Sequence, residues 1–253
     1  MVTTVKAVLT AERIKLFSTR APLVAVAGAA FVSLGLAALQ AANQGMGAIT
    51  PQEAAIGVAV LAVPVLMVVA SMSITAEFRT QMIRTTFLAV PNRILVLTAK
   101  AAIGAALAAV VAAVLVLAAA LVAGFFAPPL AADALSLGDA GVWRAAGAFG
   151  IYAAVAAVLG VGVGALIRAA PGTVAVLLLW PLVVETVLGV LPDTGARVGP
   201  YLPFANAYTF IEVQWLYPGY DMRWGPLGGL AYFTAVTAVV FAVALVVVDR
   251  RDA

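Results

Sequence analysis

Glu77-Phe-Arg-Thr-Gln-Met-Ile-Arg84, continued by Pro91-Asn-Arg93 and Lys100, is a strongly cationic segment held between two long apolar runs. Residues 54–76 ahead of it read as a membrane span, and from Ile94 onward the chain climbs back into apolar residues. About 30 Å of bilayer hydrocarbon needs roughly 20 apolar residues of helix. A basic, helix-forming segment in that setting reads as a cytoplasmic loop of a membrane protein. It also offers a handle for a soluble partner to push on.

Composition points the same way. Hydrophobic residues make up 65% of the 253 and charged residues 10%, against about 25% charged in a soluble domain. Backbone groups in lipid must be satisfied within the segment, which predicts helices. The alternating pattern of an outer-membrane barrel does not appear. The predicted fold is an all-α integral-membrane domain spanning 1–253, with six transmembrane helices at 22–42, 54–76, 95–126, 143–167, 171–191 and 226–248. Residues 1–20 form an amphipathic elbow helix, 77–94 a cytoplasmic segment, and 192–225 an external aromatic loop with short helices before the last span. The third span exceeds what a bilayer needs, so it tilts or extends into the cytoplasm. Arg168-Ala-Ala-Pro-Gly172 joins the fourth and fifth. Proline stops the preceding helix there and glycine permits the reversal.

Orientation follows from the cations. With both termini inside, Lys6, Arg13, Lys15, Arg20, Arg79, Arg84, Arg93, Lys100, Arg168, Arg250 and Arg251 are cytoplasmic. Only Arg144, Arg197 and Arg223 are outside, so 11 of the 14 Lys and Arg lie within. The positive-inside rule then sets both termini in the cytoplasm. Glu53, Asp133, Asp139, Asp193, Glu212 and Asp221 fall outside in agreement, though acids weigh little in that rule. The net charge of +3 is therefore a topological signature, and nucleic acid is not an expected partner.

The chain has no cysteine and no histidine. That excludes thiol chemistry and removes the commonest general base and metal ligand. It has no G-x-x-x-x-G-K-[ST] phosphate loop. No catalytic residue and no metal site is expected, and no cofactor on this chain. The first twenty residues are charged throughout, so a cleavable signal is not expected. On a helical wheel Val2, Val5, Val8, Leu9 and Leu16 share one side, with Lys6, Arg13 and Lys15 away from it. Glu12 interrupts the apolar side, and Ile14 and Phe17 fall outside it. The pattern fits either a positive flank or an interfacial helix on the lipid surface that also meets a cytoplasmic partner. Eleven arginines against three lysines, with abundant alanine and glycine, point to a GC-rich bacterial genome.

The whole chain resembles the integral-membrane permease of type-two ABC exporters, the daunorubicin and polysaccharide-exporter class. Three motifs carry the resemblance. Ala11-Glu-Arg-Ile-Lys-Leu-Phe-Ser18-Thr-Arg20 is similar to the acidic-x-x-Lys-Leu-x-Ser-x-Arg run of actinobacterial members. Glu77 to Thr86 looks like the family's acidic-aromatic-Arg-x-Gly-x-Ile-Arg loop, with Gln81 where the family has glycine. Leu179-Trp-Pro-Leu-Val-Val-Glu185 is similar to a stretch of the fifth span. The resemblance implies a bacterial inner-membrane subunit that pairs with a second permease chain, identical or related. It implies separate ATPase subunits that carry ATP and Mg and drive export of an amphipathic or apolar compound (a drug, peptide or lipid). It assigns coupling to the ATPase to Glu77, Phe78, Arg79, Thr80, Ile83, Arg84 and Glu12. Short helices over the outer mouth would make Phe204, Tyr208 and Phe210 outer-gate residues. An ion-coupled secondary transporter and a non-transport membrane scaffold are the alternatives.

Residue chemistry adds detail. Glu77, at a span exit, can pair with Arg79 or Arg84, and Pro91 ends the segment. Glu77 and Arg84 lie seven residues apart, two turns on one helical face. Glu185 is the only acid deep in a span, and charge there faces protein or water. It reads either as a group lining the translocation path or as a structural carboxylate bonded to a neighbouring helix. With no base deep in the spans, a proton relay has little to work with. Gly147, Gly150, Gly160, Gly162 and Gly164 permit close packing, within the chain or across a dimer. Pro64 and Pro181 should kink or unwind their spans. Pro200 and Pro203 can start short helices, with Leu202 to Trp215 a shallow re-entrant segment. Eight of 21 aromatics lie between Pro192 and Gly225: Tyr201, Phe204, Tyr208, Phe210, Trp215, Tyr217, Tyr220 and Trp224. An aromatic belt at the membrane interface accounts for them equally.

Overall fold

A computed structural model describes residues 2–17, 20–43, 49–128, 132–191, 193–214 and 221–250. Ser18, Thr19, Pro192, Trp215, Tyr217, Tyr220 and Arg251 lie outside the described residues, as do the side chains of Val2, Leu16 and Phe17. The described residues form an all-α membrane fold without strands. The order is α1 (Val2–Phe17), α2 (Arg20–Asn43), α3 (Pro51–Ala54), a π turn (Val58–Ala62), α4 (Val63–Arg79), α5 (Met82–Ala89) and α6 (Arg93–Phe126). Then come α7 (Ala140–Ile167), α8 (Ala170–Leu179), a second π turn (Trp180–Val184) and α9 (Glu185–Val190). Two short helices, α10 (Thr194–Val198) and α11 (Pro203–Phe210), precede α12 (Pro226–Arg250). Six stretches are long and apolar enough to cross a membrane: Arg20–Asn43, Val58–Arg79, Arg93–Phe126, Ala140–Ile167, Ala170–Val190 and Pro226–Arg250.

Both prolines expected to disturb their spans sit at π turns. Pro181 lies inside Trp180–Val184, and Pro64 lies two residues past Val58–Ala62, in the first turn of α4. A missing N–H at proline removes an i−4 bond, and widening to i−5 re-satisfies the carbonyls around it. Pro200 and Pro203 each occupy the first turn of a short helix, as expected. The helix begun at Pro203 ends at Phe210, short of Trp215. The reversal between the fourth and fifth spans differs from expectation. Arg168, at φ 60°, makes the left-handed C-cap of α7, while Gly172 already belongs to α8.

α7 is the hub, packed on α4, α6, α8 and α12. Its glycines explain the close approach. A Cβ on Gly160 would meet the Met67 carbonyl oxygen of α4 at 2.4 Å. Gly164 faces Ser71 and Ile74 of α4, Gly150 the Ala109 carbonyl of α6, and Gly162 Phe241 of α12. Four of the five glycines thus serve packing within this chain. Nothing lies within 4 Å of a Cβ on Gly147. Gly160→Ala is expected to destabilise the protein by about 1–3 kcal/mol through overpacking. Gly147→Ala is expected to stabilise it by about 0.5–1 kcal/mol through helix propensity. Unfolding of both variants in mixed micelles checks the opposite signs.

Candidate functional site

The cationic segment is two helices rather than one. α4 runs on through Glu77, Phe78 and Arg79 and stops at Thr80, whose Oγ1 donates to the Ala76 carbonyl at 2.9 Å. Gln81 then adopts φ 61°, a left-handed conformation that glycine takes without strain. α5 leaves on a new axis, so Glu77 and Arg84 do not share a continuous helical face. α6 begins where Asn92 Oδ1 accepts the Leu95 N–H at 2.9 Å, an N-cap directly after Pro91 that starts the helix at Arg93.

Glu77 pairs with neither Arg79 nor Arg84. Lys100 Nζ, on α6, donates to Glu12 Oε2 at 2.6 Å, Glu77 Oε1 at 2.7 Å and the Ser73 carbonyl at 2.9 Å. Three acceptors satisfy the three protons of an ammonium whose side chain is fully buried (0% exposed). Lys15 Nζ, on α1, donates to Glu77 Oε1 at 2.8 Å and Glu12 Oε1 at 3.0 Å. Two carboxylates and two ammoniums balance in charge and tie α1 to α4 and α6. Burial alone would lower the Lys15 ammonium, but Glu77 and Glu12 beside it hold it above its ordinary range. Lys100 also corrects the expectation that the spans hold no base: it is a buried cation within α6.

The seven coupling candidates therefore divide. Glu12 and Glu77 are buried in the ion cluster and present no charge outward. Ile83 is buried, and Phe78 is half-buried beneath the Arg168 guanidinium, 4.9 Å from its ring centroid. Arg79, Thr80 and Arg84 are exposed. Sequence reading missed two neighbours on α5, Met82 at 51% and Leu88 at 81% exposed. Arg93 Nη1 donates to the Val248 carbonyl at 3.1 Å, so a flanking cation closes the C-terminal end of α12. Arg93 and Arg168 bring the ends of α4, α5, α6, α7 and α12 to the same end of the bundle as α1.

At the other end, Glu185 is wholly buried. Its carboxylate accepts the Phe204 N–H (3.1 Å to Oε1, 3.0 Å to Oε2), the Ala205 N–H at 3.1 Å and the Trp180 indole N–H at 2.9 Å. Leu202, the N-cap residue of α11, has no side chain to cap with, and Glu185 supplies that cap from another helix. A negative charge also suits the positive end of a helix dipole. Of its two sequence readings, the geometry favours the structural carboxylate over the path-lining group. The outer-gate candidates pack inward as well. Phe204 rests on Phe233 with centroids 5.3 Å apart, and Tyr208 on Tyr152 at 6.1 Å. Both are buried and Phe210 is half-buried, so they build the core beneath the short helices rather than an open mouth.

The chain matches no protein-family model and no curated protein.

Proposed function

We propose that this chain is the permease subunit of an ATP-driven exporter in a bacterial cytoplasmic membrane. Both termini lie inside, a second permease chain completes the channel, and a separate ATPase docks on α5. One observation carries the reading. The end of α4 and the short helix α5 together present Arg79, Thr80, Met82, Arg84 and Leu88 outward, while Glu77 just ahead of them is tied into the α1–α4–α6 ion cluster. A helix that transmits a push must be exposed on one side and fixed on the other. Cations around exposed Met and Leu side chains suit a protein interface, with an apolar centre and a polar rim. Against ion-coupled transport, Glu185 and Lys100 are both committed to internal hydrogen bonds. The compound moved is amphipathic or apolar, by resemblance to the exporter class. This chain itself would do no covalent chemistry.

Affinity purification from native membranes, with mass spectrometry of the partners, tests the reading. A stand-alone ATPase bearing a phosphate loop is expected to co-purify. Arg84→Glu should weaken its binding by roughly 30-fold or more, since losing a desolvated charged contact costs about 2–5 kcal/mol. A chain that purifies without such an ATPase, or binds it equally well after Arg84→Glu, would sink the docking assignment.

A further inference from the structure

A cavity of about 200 Å³ opens between α8 and α12, both of which pack on α7. Met67, Leu159 and Phe204 make its floor, and all three are buried. Val176 and Trp180 form one rim and are exposed at 44% and 45%; Val240 of α12 faces them. All the lining residues are apolar, so nothing in it would orient a polar ligand.

We propose that this cleft binds one hydrocarbon chain of a bilayer lipid, inserted sideways between the fifth and sixth spans. Three observations select that occupant. The rim residues lie on helices that cross the membrane, where the surrounding medium is hydrocarbon. A lining without hydrogen-bonding groups rejects headgroups and peptides, which would leave polar groups unpaired. The volume is below the ~300–1,000 Å³ of pockets that enclose drug-sized ligands and near the ~150 Å³ of a cavity that holds benzene. A single chain segment fits those limits and a bulky polycyclic compound does not. The occupant would also lie against Trp180 and Phe204, two of the three residues whose N–H groups Glu185 gathers. A chain in the cleft thus braces the joint between the fifth span and α11. The inference needs only that the spans sit in lipid and is independent of the export reading.

Phosphatidylcholine carrying a mid-chain diazirine, in nanodiscs of phosphatidylcholine and phosphatidylglycerol, provides the test. After photolysis, adducts are mapped by peptide mass spectrometry. Surface lipid reaches Val176 and Trp180, whereas only an inserted chain reaches Met67 and Leu159. Adducts on Met67 or Leu159 are expected. Val240→Phe, which narrows the cleft, should cut them at least fivefold and leave the Val176 and Trp180 adducts unchanged. A phosphatidylglycerol probe with the same chain should label the floor equally, because the headgroup stays outside. Wild-type adducts confined to the rim would overturn the proposal without any variant. Floor labelling that depends on the headgroup would overturn it too.

Discussion

Lys100→Met is expected to be among the most damaging single substitutions in this chain, costing about 3–5 kcal/mol. The variant removes the ammonium that pairs with Glu12 and Glu77 and leaves two carboxylates buried near each other. Breaking a buried ion network from one side is expensive, because the two surviving carboxylates have little water and share only the Lys15 ammonium. α1 is the element released, since Glu12 and Lys15 are its polar ties to α4 and α6. Unfolding in mixed micelles gives the magnitude, and protease cleavage within α1 shows which part comes loose. The triple variant Lys100→Met, Glu12→Gln, Glu77→Gln should recover much of the loss, because it removes the buried charges together and leaves only Lys15, whose side chain is 39% exposed, in charged form. Lys15→Met should cost less than Lys100→Met, as the Lys15 side chain is 39% exposed and water can replace it. Wild-type stability in Lys100→Met would show that the cluster does not hold the elbow.

The spans were legible because hydropathy contrast is strong and local. The sixth, read as 226–248, is the helix Pro226–Arg250, and the fifth, read as 171–191, is Ala170–Val190. The second was the least accurate at its end. It was read as stopping at 76, but Glu77 is buried against Lys100 and carries α4 on to Arg79. A charge that ends an apolar run in sequence can still belong to the helix when a partner neutralises it. That partner sits on another helix, and Glu12 and Lys100 are 88 residues apart, beyond any local pattern. A signal was nevertheless present. Glu12 broke the apolar side of α1, and Lys100 stood inside an apolar run. Each was a misfit alone, and a buried carboxylate and a buried ammonium are natural partners. The left-handed residues were less accessible. Gln81 and Arg168 occupy positions that favour glycine, so propensity alone does not locate those turns. The shared face of Glu77 and Arg84 rests on one continuous helix over 77–84, and the turn at Gln81 breaks that helix.

Glu185→Ala is expected to cost at least about 3 kcal/mol, with Glu185→Gln falling between it and wild type. The alanine variant leaves the Phe204 and Ala205 N–H groups and the Trp180 indole N–H without their acceptor. Each buried donor left unpaired costs about 1–3 kcal/mol, and hydrogen bonds to a charged group lie toward the upper end. A glutamine oxygen still accepts from some of these donors, but its amide nitrogen, itself a donor, must face at least one of the others. The damage should centre on α11, whose first turn loses its cap, and on the π turn, which loses its tie to α11. Trp180→Phe removes one donor along with its bond and should cost only about 1 kcal/mol in wild type. In the Glu185→Ala background the same change should cost less, since the indole N–H there has no bond left to lose. That coupling, measured by a double-mutant cycle, separates a capping carboxylate from a path-lining one. A group lining the export path would give near-normal stability in Glu185→Ala, an additive cycle with Trp180→Phe, and a defect confined to transport.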